Sequence, residues 1–349
     1  MLPVIDSLID RRERYSRQIL FPGIGLAGQE KLCAARVAVI GCGALGTAQS
    51  ESLARAGVSE LRIIDRDFVE LSNLHRQTLF TEADALNRLP KAVAAAQHLN
   101  EINADVKVTP EVVDVNLSNV ESLIAGCDLV IDGTDNFATR YLLNDACVKH
   151  GINWIYGAAV SSYGATMTIR PRVTPCLRCI FPAEPPAATA PTCDTAGVIQ
   201  PIIATIAAVQ VTEAIKLLTG QPEALHNSLL QFDLWANDWR RIKLRQPTPD
   251  CPTCIQGNYA TLDAERAEFT AVLCGRNAVQ IAAPQGLKID LAQLADKLRP
   301  VGAVKANDYL VRLSLDAYEI TVFADARAII RGTDDVTMAR SLYARYVGT

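Results

Sequence analysis

A chain of 349 residues, 49% hydrophobic and 21% charged, has the make-up of a folded globular protein too long for one ordinary domain, which excludes a disordered chain and points to two domains. Lys plus Arg number 34 against 38 Asp plus Glu, a net charge of −4, which argues against a general polyanion-binding surface and leaves room for local basic sites. The first twenty residues contain no signal-peptide core. The most apolar later run, 198–220, holds Pro201, Gln210, Glu213 and Lys216, so it reads as a buried helix. We expect a cytoplasmic protein with neither membrane nor nucleic-acid partners.

Along the chain, Arg36–Ile40 is a short apolar run of β character that enters a glycine loop at once. A helix over Ala44–Ala56 follows, stopped by Gly57. A strand over 60–65 ends in acid. Helical spacing covers Lys91–Ile102, then a strand over 105–113, a short helix over 118–125 and a buried strand over 128–132. The loop 133–136 leads to a helix over 138–150 and a strand over 153–157. Strand and helix in alternation predict an α/β, Rossmann-like, mainly parallel sheet with helices on both faces. Residues 165–170 then alternate as an antiparallel strand would. The stretch 182–195 is rich in Pro, Ala and Thr and reads as a mobile loop. A long helix over 202–219 and strands near Ser228–Asp233 and 239–244 complete a first domain, 1–255. Residues 260–349 read as a small α+β domain with elements at 271–281, 291–298, 309–314, 319–324, 328–331 and 336–346.

The loop Gly41-Cys42-Gly43-Ala44-Leu45-Gly46 follows a strand and opens a helix, and Asp65 lies 24 positions beyond Gly41. That is dinucleotide-fingerprint spacing: glycines let the backbone approach a phosphate at a helix N-terminus, and the acid takes ribose hydroxyls. The motif does not itself choose between NAD and ATP. The cluster Ser72-Asn73-Leu74-His75-Arg76-Gln77, then Lys91, then Thr134-Asp135-Asn136 at a strand end, supplies more cations than hydride transfer needs. A triphosphate needs them, because charge shifts onto departing pyrophosphate. Arg76 and Lys91 suit that role, and Asp135 can hold Mg²⁺.

Together these residues resemble the ThiF/MoeB family of adenylyltransferases, relatives of ubiquitin-activating enzymes. The resemblance rests on Arg14-Tyr15-Ser16-Arg17-Gln18, GCGALG, the acid of LRIID, SNLHRQ, Pro90-Lys91, GTDN with Arg140, two C-x-x-C pairs and Thr192-Cys193-Asp194-Thr195-Ala196-Gly197. It covers roughly residues 10–255. It implies a homodimer in which Asp65, Asn73, Arg76, Gln77, Lys91, Asp135 and Asn136 serve ATP or Mg²⁺, and in which Arg17 reaches the partner subunit's site. It further implies adenylation of the Gly-Gly carboxylate of a small ubiquitin-like sulfur carrier, with pyrophosphate released, ahead of sulfur transfer from a donor such as a cysteine desulfurase or rhodanese. Thiamine and molybdopterin pathways share this step. One departure concerns the loop before Lys91. The family often has glycine three positions before the lysine, and this chain has Arg88, so the loop is expected to sit differently.

The pairs Cys176/Cys179 and Cys251/Cys254 predict a structural Zn²⁺ site of four thiolates. Cys33, Cys42, Cys127 and Cys147 read as small core residues. By resemblance Cys193 is the candidate for covalent work on the carrier. Residues 260–349 hold equal numbers of acids and bases. They are too short for a rhodanese and lack its six-residue cradle, so docking or a stabilising appendage are the two readings. Two other functions stay in view: an NAD-dependent Rossmann oxidoreductase, and a non-catalytic dimeric nucleotide-binding scaffold.

Overall fold

The computed structural model describes residues 13–185, 193–263, 270–273, 277–281 and 287–348. The chain divides into two compact units, Met1–Ala264 and Glu265–Thr349.

The first unit carries eight strands: β1 (Arg36–Ile40), β2 (Glu60–Ile64), β3 (Lys107–Glu111), β4 (Leu129–Asp132), β5 (Asn153–Val160), β6 (Tyr163–Ile169), β7 (Ser228–Asp233) and β8 (Asp238–Lys243). They form one sheet in the order β3-β2-β1-β4-β5-β6-β7-β8. The first five are parallel, and β6 to β8 continue antiparallel. This is the mixed α/β architecture expected from the alternating elements. The strand order turns back between β1 and β4, the kind of crevice where ligands bind in open α/β sheets.

The apolar runs follow from burial on both faces. Val37, Val39, Leu61, Ile63, Leu129 and Ile131 point to one face, under Leu53 and Ala54 of helix Ala44–Ala56, Leu99 of Lys91–Ile102 and Val211 of Gln200–Leu218. Ala38, Ile40, Ile64 and Val130 point to the other, under Leu143 and Cys147 of helix Phe137–His150. Helix Gln200–Leu218 is long and apolar enough to cross a membrane by length and composition. Here it packs on β5, β6 and helix Ala44–Ala56, and its buried Gln210 and Glu213 are hydrogen-bonded.

Several element bounds differ from expectation by a few residues, the third and fifth strands among them. The third strand is shorter, because Asn103 accepts the Val106 amide and closes a turn before it. The fifth is longer, because β5 and β6 form a continuous hairpin from Trp154↔Ile169 to Val160↔Tyr163. Past Cys254 the chain stays with this unit: Tyr259 and Leu262 pack on its core, and Thr261 N donates to Asp145 Oδ2 at 2.9 Å.

The second unit is a six-stranded antiparallel sheet: β9 (Thr270–Leu273), β10 (Ala278–Ile281), β11 (Ala303–Ala306), β12 (Leu310–Ser314), β13 (Glu319–Phe323) and β14 (Ala328–Arg331), in the order β11-β12-β13-β14-β10-β9. Helices Leu291–Leu298 and Val336–Tyr346 contribute Leu294, Leu298 and Leu342 to its core beside Val311, Ile320 and Ile330. The stretch read as one element at 271–281 is two paired strands, with Asn277 at φ 45° before the second. Strand β11 was not foreseen. It is a short and mostly exposed edge with no apolar alternation to betray it.

Candidate active site

The residues singled out around the glycine loop gather at the carboxyl ends of β1, β2 and β4. Gly41 has φ 86°, and a Cβ there would meet Gly133 O at 2.7 Å. At Gly46 a Cβ would fall 1.9 Å from Gly41 O. Both glycines are therefore required by packing alone. Gly43 differs. A Cβ there would meet only Gln77 Nε2, at 3.9 Å, so the space over the first turn of helix Ala44–Ala56 is left open for a ligand.

Asp65 does more than end β2. Its Oδ2 accepts the Cys42 amide and its Oδ1 the Asp67 amide, each at 2.7 Å. The acid thus orders both the glycine loop and the turn behind it. Burial pushes its carboxyl up, against the pull of Lys91. Burial likewise pushes the Cys42 thiol up, with Asp65 adding to it. Cys42 and Cys147 are buried as expected, whereas Cys33 and Cys127 are only partly so.

Lys91 is buried at the first position of helix Lys91–Ile102, directly after Pro90. A cation there opposes the helix dipole. Asp67, which the sequence did not single out, offsets this: Lys91 Nζ lies 3.4 Å from Asp67 Oδ2. A buried cation kept at an unfavourable helix end is a functional signal.

Arg76 is half-buried and donates to Ser72 O at 2.8 Å. Asn73 spends its oxygen on the Glu70 amide at 3.1 Å, leaving its amide nitrogen available. Gln77 is buried, and its Oε1 has no hydrogen-bond partner among the described residues. A buried acceptor of that kind beside the open space at Gly43 fits a bound nucleotide.

The loop after β4 is held from beneath. Asp132 accepts the Thr134 amide and hydroxyl at 2.8 and 2.7 Å. Its Oδ2 lies 3.3 Å from Arg140 Nε, both groups fully buried. Arg140 also donates to Thr134 O and Gly157 O. Gln49 and Gln210 both donate to Asp132 O. Asp135 itself is exposed, with Arg66 and Arg140 acting on it electrostatically. Asn136 caps helix Phe137–His150 by accepting the Thr139 amide at 2.9 Å, a structural duty that occupies its oxygen.

Arg17 is not brought to this cluster by any hydrogen bond or ion pair among the described residues. Its neighbours Tyr15 and Gln18 face inward, toward Asn103 and Ala56, and Arg17 itself is exposed. The candidate Cys193 begins the short helix Cys193–Ala196. Its side chain, and residues 186–192 of the stretch read as a mobile loop, lie outside the described residues. Gly197 O accepts the Ser161 amide at 2.8 Å, and the Ile199 amide donates to Ser161 O at 3.0 Å. This anchors the following segment beside the carboxyl end of β5.

The Sγ atoms of Cys176, Cys179, Cys251 and Cys254 all lie within 4.8 Å of one another. Three separations are 3.9, 3.6 and 3.5 Å. A tetrahedral ion with metal–sulfur bonds of about 2.3 Å requires sulfurs about 3.8 Å apart, so the set fits. Asp145, fully buried, ties the cluster to helix Phe137–His150 through Arg178, Thr253 and the Thr261 amide. Asp135 is no part of this group. It precedes the other end of that helix, on the order of 15 Å from Asp145 along the axis.

Comparison with known proteins now bears on this geometry. Residues 15–253 match the model of the ThiF family. The chain belongs to the ThiF family. It is 47% identical over 337 residues to the sulfur carrier protein ThiS adenylyltransferase of Bacillus subtilis, covering 96% of this chain and 99% of the relative. It is 41% identical to the SAMP-activating enzyme E1 of Haloferax volcanii, over 74% of this chain and 95% of that one. It is also 41% identical to the adenylyltransferase and sulfurtransferase MOCS3 of Culex quinquefasciatus, over 74% of this chain and 59% of that one. Among solved structures, E. coli MccB with ATP shares the fold, with a TM-score of 0.61 at 24% identity over 69% of this chain and 74% of that one.

Proposed function

We propose that this protein is an adenylyltransferase that uses ATP to activate the C-terminal Gly-Gly carboxylate of a ubiquitin-like sulfur carrier. The observation that carries this reading is Asp65, which holds the glycine loop open at Gly43 while Lys91 is buried beside it on Asp67. The alignment with the ThiS adenylyltransferase spans nearly both whole chains and therefore runs through the second unit. That favours a ThiS-type carrier over the others and makes the second unit part of the same enzyme.

In this reading a carrier carboxylate oxygen attacks the α-phosphorus of ATP. The bond to pyrophosphate breaks, leaving an acyl-adenylate whose carbonyl carbon is open to sulfur. A carboxylate is already a nucleophile, so the step needs no general base. Asp65 and Asn73 orient the nucleoside. Arg76, Gln77 and Lys91 hold the phosphates and offset the charge that builds on pyrophosphate. The exposed Asp135 would hold Mg²⁺, which supplies further neutralisation of the phosphates. Arg17 acts in the partner subunit of a homodimer; exposed Leu20 and Phe21 beside it offer an apolar surface for that partner. Cys193 Sγ takes the carrier's acyl group as a thioester while AMP leaves, and sulfur comes from a separate donor protein. The four cysteines hold Zn²⁺ in a closed structural site. The eight cysteines whose side chains are described form no disulfide, in keeping with a cytoplasmic setting.

The test is exchange of labelled pyrophosphate into ATP, with candidate carriers ending in Gly-Gly and with each carrier lacking its last glycine. Exchange that depends on one intact carrier is expected. No exchange with any carrier, from protein that binds ATP·Mg, overturns the reading.

A further inference from the structure

Arg88 has φ 47°, a left-handed conformation that suits glycine and strains a residue with a Cβ. The cause is local. Helix Glu82–Leu86 ends with Asn87 as its C-cap. The Arg88 amide then donates to Ala85 O at 3.2 Å and the Leu89 amide to Asp84 O at 3.0 Å. These are the two bonds of a Schellman turn, whose left-handed position is usually glycine. Arg88 thus stands in the conformation that glycine favours.

From there the chain pairs with the segment after Asp65. Val69 N donates to Leu89 O and Lys91 N to Asp67 O, both at 2.9 Å, around the antiparallel bridge Phe68↔Pro90. This small ladder sets Lys91 Nζ beside the Asp67 carboxylate. Arg88 stands at its mouth with its guanidinium carbon 5.2 Å from the centroid of the buried Phe68 ring. Its Nη1 is shielded from solvent.

We infer that Arg88 is a positioning residue whose guanidinium, lying over the Phe68 ring, clamps the 88–91 turn and so fixes Lys91 where the triphosphate binds. This rests on the adenylation reading above. Lysine would bring a compact ammonium in place of the broad guanidinium over the ring, so it is an incomplete substitute for arginine here. The strain is the counterpart: relieving it should steady the fold while loosening Lys91.

The experiment measures ATP and AMP affinity, thermal midpoint and carrier-dependent pyrophosphate exchange for the wild-type protein, Arg88→Gly, Arg88→Lys and Phe68→Leu. For Arg88→Gly we expect a midpoint equal to or above wild type, with AMP affinity unchanged. ATP should bind roughly tenfold more weakly and exchange should fall roughly tenfold or more, as misplaced groups cost rate. Arg88→Lys should show a smaller loss of the same kind. Phe68→Leu should repeat the ATP-specific loss with Arg88 intact; if it does not fold, Arg88→Gly decides alone. Wild-type ATP affinity and exchange in Arg88→Gly overturn the inference, as does a parallel fall of midpoint, AMP and ATP affinity. If the wild-type protein neither prefers ATP to AMP nor exchanges with any carrier, the adenylation reading fails and takes the clamp with it. A wild type that exchanges beside an unaffected Arg88→Gly sinks the clamp alone.

Discussion

Asp65 Oδ2 accepts the amide of Cys42 at 2.7 Å, across the gap between the ends of β2 and β1. The acid expected to read a ribose is thus also the brace of the loop expected to hold phosphate. In Asp65→Asn an amide N–H2 can be turned against a backbone donor, and a buried donor is left unsatisfied. We expect ATP·Mg affinity to fall by more than tenfold and stability by about 1–3 kcal/mol. Urea unfolding and nucleotide titration on the same preparation check this. Loss of affinity at unchanged stability would show that Asp65 serves the ligand only.

Arg17 is exposed and without hydrogen bond or ion pair among the described residues, so its removal should leave the fold intact. Arg17→Ala is expected to keep its thermal midpoint and lose on the order of 10³–10⁵ in exchange rate. Mixing it with Asp135→Asn subunits should restore about a quarter of the wild-type rate, because half of the randomly formed dimers then contain one intact composite site. No restoration, in dimers shown to have exchanged subunits, would place Arg17 in its own subunit's site or outside the chemistry.

Arg140 and Asp132 are both fully buried and 3.3 Å apart. Burial raises the Asp132 carboxyl, against the pull of Arg140. Arg140→Ala would leave that carboxylate without its counter-charge, at a cost of about 3–5 kcal/mol. It should also loosen Thr134 and Asp135, since Arg140 donates to Thr134 O at 2.7 Å. Denaturant unfolding gives the first quantity. The Mg²⁺ dependence of exchange gives the second.

Asp84 lies in helix Glu82–Leu86, just before the turn that leads to Lys91. Burial alone would raise its carboxyl, but the Thr81 amide and His98 outweigh this and hold it below the ordinary 3.8. A depressed folded value contributes stability that is present above 3.8 and is lost as pH falls through the folded value. The Asp84→Asn variant should therefore melt lower than wild type near neutrality. The two should converge as pH falls below 3.8 and through the folded value. Melting curves across that range decide it, and curves that stay parallel would remove Asp84 from the acid response.

The four-cysteine cluster should bind one Zn²⁺ per chain by elemental analysis. Cys176→Ala, or stripping with a chelator, is expected to lower the thermal midpoint and to leave ATP affinity per folded molecule unchanged. Loss of nucleotide affinity ahead of unfolding would contradict a purely structural site.

Much of this architecture was legible because it is encoded at short range. Arg36–Ile40 entering GCGALG, and helices at Ala44–Ala56 and Lys91–Ile102, follow from apolar period, glycine sterics and a Pro before Lys91. The two C-x-x-C pairs foretold by ligand type and spacing a four-thiolate cluster of a geometry that fits a metal ion. Strand β11 was hidden because an exposed edge needs no apolar alternation, and the break within 271–281 because a left-handed Asn277 leaves little mark in the sequence.

By itself, then, the sequence determined the elements, their alternation and the residue types available for phosphate and thiolate chemistry. Only the tertiary structure decided which of them meet. Parallel pairing of β1 with both β2 and β4 brings Gly41 against Gly133 and Asp65 onto Cys42. The ladder of Phe68 with Pro90 gives Lys91 its Asp67 and Arg88 its ring. The antiparallel run from β6 to β8 brings the Cys251 Sγ to 3.6 Å from that of Cys176, 75 positions away. Such contacts depend on strand order and register, which no local pattern specifies. They are made because burying both faces of the sheet leaves the chain few other ways to satisfy its buried polar groups.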